Sequence, residues 1–300
     1  MRLTLRRAPL ARAAHTRVCA RPRESDGEGR FGLKVSRRAF GSIAVAAAAG
    51  VAAARIGPRA RAAPAGVPVA ETQARSVVLV HGLYADGSSW IDVVPHLQNA
   101  GLAVTVVQNP LTTLADAVAE TRRVLALQPG PTVLAGHSWS GTIVSEVGGD
   151  PTVSALVYIA ARAPDAGEDF PALAKRFPAP PASKGVVVTP DGYAQLGEAA
   201  FLSDFAGGVP AERARALYAV QGRNLTTLPA ERTTTAAWRD KPSWYQVSTQ
   251  DRTIDPELER YLAHRMGAHT IELDTSHVSL LTRPREVADL ILAAAGRGAG

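Results

Sequence analysis

The sequence predicts an α/β fold: a parallel sheet of about six strands, flanked by helices and carrying a small helical cap. From Ser76 onward, short Val/Leu/Ile runs alternate with longer amphipathic stretches, the rhythm of strand–helix–strand units. The run "VSALVYIA" (153–160) is almost unbroken in its apolar character, as expected of a strand buried on both faces. Residues 162–238 break the alternation. They are rich in Pro, Ala and Gly and read as an insertion between two sheet strands.

The elements follow in order. "SVVLV" (76–80) is the first strand, and "WIDVVPHLQNAG" (90–101) has apolar residues at helical spacing with Ser89 available as a cap. "LAVTVVQ" (102–108) is a strand. The helix "LTTLADAVAETRRVLALQ" (111–128) then stripes Leu114, Val118, Val124 and Leu125 along one face, with Arg122 and Arg123 outward. "PTVLAG" (131–136) and "SWSGTIVSEVG" (138–148) form the next strand and helix. Within the insertion, "DFPALAKRF" (169–177), "DGYAQLGEAAF" (191–201) and "PAERARALYAV" (210–220) read as short helices. "SWYQVST" (243–249), "DPELERYLAHRMG" (255–267), "HTIEL" (269–273) and "PREVADLILAAA" (284–295) close the chain as strand, helix, strand, helix.

Charge divides the chain in two. Residues 1–62 hold 14 Lys/Arg against 3 Asp/Glu, a net of +11, whereas residues 63–300 carry a net of −5. The mildly acidic body gives no basis for nucleic-acid binding. The leader, 1–62, has Arg37 and Arg38 just before the weakly apolar "GSIAVAAAAGVAAA", then "ARA" (60–62), a small-residue cleavage pattern. Ser36 before the arginines and Phe40 after them resemble a twin-arginine export signal. That implies export by the twin-arginine translocation machinery and an extracytoplasmic mature protein with no stable membrane span. Residues 63–300 then form a single domain. The one cysteine, Cys19, lies in the leader, so the body has no disulfide and no thiolate chemistry. Scattered histidines without a His-Glu-x-x-His pattern predict no metal, and no phosphate-binding glycine loop predicts a nucleotide; no cofactor is expected.

Chemistry concentrates at "GHSWSG" (136–141). Ser138 ends a strand and opens a helix, the context in which a strained turn exposes a nucleophile. Gly136 and Gly141 keep the approach of strand and helix open, and His137 completes the motif. Ser140 stands where the usual pattern has glycine. In "HGLYADGSSW", His81 and Gly82 turn the chain so that the Leu83 amide can face Ser138, with the Trp139 amide as a second oxyanion donor. His277, on the loop after "HTIEL", is the histidine placed to act as base. Asp251, after the preceding strand, is placed to orient it, with Asp274 as competitor. Asp86 reads as a turn residue and Asp255 as a helix cap.

The segments "VVLVHGLYADGSSW", "VVQNPLTTLADAVAETRRVL", "VLAGHSWSG" and "LVYIAARAPDAGE" resemble the α/β-hydrolase superfamily. More narrowly they resemble a bacterial esterase group containing pyrethroid hydrolases, related to plant methylesterases and hydroxynitrile lyases. The resemblance spans about 73–296. It implies cofactor-free hydrolysis of carboxylic esters, with Ser138 as nucleophile, Asp251 as acid, His277 as base, and the amides of Leu83 and Trp139 holding the oxyanion. The substrate expected is a small to medium, uncharged ester in an apolar pocket supplied by cap aromatics (Phe170, Phe177, Tyr193, Phe201, Phe205, Tyr218) and Trp139. A lyase on the same scaffold and a non-catalytic binding protein are the alternatives. The related lyases carry lysine after the catalytic histidine, and here that residue is Val278.

Overall fold

The main sheet of the computed structural model, which describes residues 73–297, has six strands, all parallel. Numbered along the chain, these are β1 (Ser76–Val80), β2 (Ala103–Val107), β3 (Thr132–His137), β4 (Val153–Ile159), β8 (Ser243–Ser248) and β9 (His269–Leu273). Strands β5 (Val186–Val188), β6 (Tyr193–Leu196) and β7 (Asn224–Leu225) belong to the insertion. The spatial order is β2-β1-β3-β4-β8-β9. The leader expected over 1–62, with Arg37 and Arg38, lies outside the described residues. No helix among the described residues is long and apolar enough to cross a membrane.

Alternation within each strand builds two cores. Val78, Val80, Leu134, Leu156 and Tyr158 face one layer, with α2 (Leu114–Leu125), α3 (Gly141–Val147) and α7 (Pro256–Met266). Val77, Leu79, Val133, Val157 and Ile159 face the other, with α1 (Val94–Asn99) and α9 (Pro284–Ala294). Because both faces are covered, these strands are apolar throughout, the property that made them legible. The chain runs outward from β1 to β2, then returns to place β3 on the other side of β1. This reversal leaves a crevice at the carboxyl ends of β1 and β3, where ligands bind in open parallel sheets.

Local signals set the helix ends. The Thr113 side chain accepts from the Asp116 amide at the start of α2. Asp255 caps α7, followed by Pro256, and Gly267 closes it at φ +62°. The helix expected over 90–101 starts late. Residues Gly87–Trp90 form a 3-10 turn capped by Asp86 rather than Ser89, and α1 begins at Val94 with Pro95 in its first turn. A proline lacks the N–H that an earlier start would require, so the helix begins around it.

The insertion departs further from expectation. It carries helices α4 (Phe170–Ala174), α5 (Glu198–Ala200) and α6 (Ala211–Ala219), plus a single π-type turn at Phe201–Phe205, but also a three-stranded antiparallel sheet, β5-β6-β7. Residues Tyr193–Leu196, expected to be helical, form β6. Gly192 at φ +85° and the Thr189 amide donating to the Tyr193 carbonyl at 2.7 Å close a hairpin onto β5. Ala194 and Leu196 are then buried while Tyr193 and Gln195 are half-buried, a period of two rather than 3.6. The cap is therefore mixed rather than helical. After it, α8 (Ser279–Thr282) leads into α9.

Gly141 opens α3 against the chain leaving β4: a Cβ there would lie 1.9 Å from the Arg162 carbonyl oxygen, a backbone atom that cannot step aside. Gly149, two residues past the end of α3, has nothing within 4 Å of such an atom. Gly141→Ala should therefore cost about 3 kcal/mol or more. Gly149→Ala should be neutral or stabilise by up to about 1 kcal/mol. Thermal melts of the two variants check this, and equal effects would mean that the α3–β4 contact is looser than described.

Candidate active site

Ser138 follows β3 with φ +59°, a conformation that costs a side-chain-bearing residue energy. Its neighbours hold it there. The Arg162 amide donates to the Ser138 carbonyl at 2.9 Å. The Ser140 hydroxyl reaches the carbonyls of Val80 (2.7 Å) and His137 (2.8 Å), fastening the turn to the end of β1. Serine in place of the motif's usual glycine is thus a tie between strands, which the sequence pattern did not reveal. A Cβ on Gly82 would sit 2.7 Å from the Ser138 Cβ, so only glycine lets the β1 loop approach the serine. A Cβ on Gly136 would meet Val144 of α3 at 2.7 Å.

Ser138, Leu83 and Trp139 line one cavity of about 250 Å³. The Leu83 and Trp139 amides donate to no acceptor among the described residues, which leaves two backbone donors beside the serine. His81 does not share this role. Its Nδ1 lies 2.9 Å from the Gly82 carbonyl and its Nε2 accepts from the Asn109 amide at 2.9 Å, so the ring braces the turn. Burial depresses its pKa below the usual histidine value, keeping it neutral.

His277 and Asp251 meet in the interior. His277 Nδ1 lies 2.5 Å from Asp251 Oδ2, and both side chains are fully buried. Asp251 Oδ1 accepts from the amides of Thr253 (2.6 Å) and Ile254 (2.8 Å), so the carboxylate is fixed before it receives the imidazole. Asp274 instead accepts from Gln250 at 3.0 Å on the exposed side of the loop. The opposite ring nitrogen of His277, Nε2, is buried without a hydrogen-bond partner among the described residues. Ser138 Oγ makes no hydrogen bond there. Such contacts are often loose before substrate arrives. Below the ring, Ser279 Oγ donates to Gln246 on β8 at 2.6 Å, tying the histidine loop to the sheet.

The ring of His137, the residue before Ser138, packs against that of His277, with centroids 4.7 Å apart, and its Nε2 lies 3.0 Å from the His277 carbonyl. Burial first, then the neighbouring His277, holds its pKa well below the ordinary value. A neutral His137 adds no like charge when its neighbour is protonated. Phe205 of the cap lies on another side of the His277 ring at 5.3 Å. Of the six cap aromatics expected in the pocket, Phe170 alone lines the cavity; Phe177 packs on Tyr261, and Phe201 on Phe205 and Tyr218.

Glu259 escaped the sequence reading because it sits mid-helix among exposed charges. It is fully buried, with Oε2 accepting from the Ser248 amide at 3.0 Å and Oε1 unpaired among the described residues. Burial, reinforced by Asp251, raises its pKa well above the usual carboxyl value. Two buried neighbouring carboxyls do not both ionise readily. Asp251 has two amides and an imidazole to support its charge, while Glu259 has one amide, so Glu259 keeps the proton. Among the described residues, no group of three or more His, Cys, Asp or Glu is arranged to hold a metal ion.

A family model described as the alpha/beta hydrolase family matches residues 77–290. A search of the curated proteins finds no match. Among solved structures, a polyneuridine aldehyde esterase superposes with a TM-score of 0.64 at 21% identity, covering 74% of this chain and 99% of the other. A pyrethroid hydrolase from Sphingobium faniae gives 0.62 at 19% identity, covering 74% and 98%. A methylesterase from Arabidopsis gives 0.61 at 17% identity, again covering 74% and 98%. At such identities the likeness establishes the fold.

The proton on Glu259 has a measurable consequence. Its folded pKa is raised, so above the unfolded value of about 4.3 the unfolded chain releases a proton that the native state retains. That component of stability falls as pH rises from there towards the folded pKa. Gln cannot ionise and removes the component. The melting temperature of Glu259→Gln relative to the parent should therefore shift upward between pH 4 and pH 8. A difference independent of pH would show that Glu259 titrates normally.

Proposed function

The chain belongs to the alpha/beta hydrolase family, and from that premise we propose that it is a serine hydrolase that cleaves small to medium carboxylic esters through an acyl-enzyme on Ser138. The observation that carries this reading is the buried His277–Asp251 contact at 2.5 Å, set at the same end of the sheet as the strained Ser138 turn and its cavity. Solved neighbours described as a polyneuridine aldehyde esterase and a pyrethroid hydrolase support the ester class. The lyase alternative gains nothing from the site, where the residue after His277 is the buried Val278.

In this mechanism His277 Nε2 takes the Ser138 proton as Oγ attacks the ester carbonyl carbon. Electrons move onto the carbonyl oxygen, which the Leu83 and Trp139 amides receive. The tetrahedral intermediate collapses, the carbon–oxygen bond to the alcohol breaks, and the imidazolium protonates the departing alkoxide. Water then gives its proton to His277, attacks the acyl carbon and releases the acid, returning the proton to Ser138. Asp251 remains ionised throughout, holding Nδ1 protonated. The apolar wall of Trp139, Phe170, Ile254 and Leu258 supports an uncharged group around the scissile bond, and the cavity's modest volume supports a small one.

A panel of 4-nitrophenyl esters of increasing acyl length tests the reading, combined with Asp251→Asn and Asp274→Asn. Activity should peak on short to medium acyl groups. Asp251→Asn should lower kcat/KM by about 10²–10⁴, as loss of the orienting carboxylate does in serine-protease triads, because the imidazole is then held in the wrong tautomer. Asp274→Asn should cost less than about tenfold, since that carboxyl makes only loop contacts. A peak on long-chain esters at an oil–water interface would contradict the substrate size. The reverse order of the two variants would move the acid to Asp274.

A further inference from the structure

Among the described residues, Arg162 is the one cation in the wall of the cavity that holds Ser138. It stands on the loop after β4, its backbone amide donates to the Ser138 carbonyl at 2.9 Å, and it lines the same cavity as the serine. The side chain lies over the Phe170 ring, 4.7 Å from the centroid, and Nη1 donates to the Pro229 carbonyl at 2.9 Å. Those two contacts fix its direction and leave Nε and Nη2, the pair that forms a carboxylate-binding fork, without a partner among the described residues. No carboxylate of the described residues comes within 4 Å of it, whereas nine other arginines form such ion pairs. Asp255 also lines the cavity, but its carboxylate is engaged at the start of α7. Burial lowers the Arg162 pKa to about 10, which still leaves it charged at neutral pH.

A guanidinium in a largely apolar cavity with no counter-ion is costly, and it is stabilised when a bound molecule supplies the anion. Tyr84 lies close by and lines the same cavity. Burial raises its pKa, so it stays a neutral phenol able to donate a hydrogen bond. Its φ of +59° marks it as a residue held in place on the oxyanion loop.

Building on the proposed esterase reading, we infer that Arg162 and Tyr84 form an anion subsite next to Ser138, and that the preferred substrates are small esters bearing a free carboxylate, such as half-esters of short dicarboxylic acids. The scissile ester meets the apolar wall and the distal carboxylate meets the guanidinium fork. This narrows the expectation of wholly uncharged substrates, which was drawn from cap aromatics that mostly face elsewhere. The modest volume of the shared cavity, about 250 Å³, favours a chain of a few carbons between the two groups.

The test compares monomethyl glutarate with dimethyl glutarate on the parent, Arg162→Gln and Arg162→Lys proteins. The parent should prefer the half-ester. In Arg162→Gln the ratio of kcat/KM for half-ester to diester should fall about 10–100-fold, mainly through KM, the size expected for a charge-assisted bidentate contact. Arg162→Lys should restore part of the ratio because it keeps the charge without the fork. A parent that prefers the diester, or a Gln variant that loses both esters in proportion, would overturn the subsite. Calorimetric binding of glutarate to the Ser138→Ala protein separates this inference from the hydrolase reading. Binding that disappears on adding Arg162→Gln supports the subsite even if no ester is turned over, and ester turnover without such binding rejects the subsite while leaving the hydrolase reading intact.

Discussion

The left-handed backbone of Ser138 is the constraint on which the rest of the site depends. A serine at φ +59° is energetically unfavourable by about 1–3 kcal/mol, and persists only where its surroundings determine it. Here the surroundings are a fully buried strand before it, helix α3 after it, and neighbouring strand ends on both sides. The two other non-glycine residues with positive φ among the described ones, Tyr84 and Ala160, follow β1 and β4, the strands that flank β3. Strain is thus gathered at the carboxyl ends of three adjacent strands. The sheet beneath them, with Val133, Leu134 and Ala135 wholly buried, is rigid enough to hold it.

The cap takes part in this arrangement beyond covering the cavity. Asp204 in its π-type turn accepts from Arg252, and the Asp204 carbonyl accepts from Thr253, both next to or near Asp251. The Ser276 hydroxyl donates to the Gly207 carbonyl, one residue before His277, and Phe205 packs on the imidazole. The loops that carry Asp251 and His277 are therefore clamped by the same short cap segment. Aromatic residues in it serve that clamp, which explains why so few of them reach the cavity.

Much of this was legible in the sequence, for physical reasons that differ from residue to residue. The central strands β1, β3 and β4, buried on both faces, are apolar almost throughout and were the plainest to read, while the edge strands β2 and β9, with exposed positions, were read from their place in the strand–helix alternation. Ser138, Asp251 and His277 were placed by topology, since each follows a strand of the sheet. What local pattern could not show was contact across long separations. Glu259 lies on a helix with charged neighbours, and only folding buries it beside Asp251. Arg162 sat in plain view in "LVYIAARAPDAGE", but a loop cation discloses nothing of whether a carboxylate awaits it. The β5–β6 hairpin was missed because four residues are too few to separate a period of two from 3.6, and Gly192 was the signal that could have found it.

The central claim is that Ser138 is the nucleophile activated by His277. The most direct measurement is the mass of the folded protein after treatment with a fluorophosphonate, with the modified peptide mapped. The account predicts one adduct per chain, on Ser138, formed far more slowly in Asp251→Asn protein. An adduct on a different serine, or ester hydrolysis that continues in folded protein whose Ser138 stays unmodified, would contradict it.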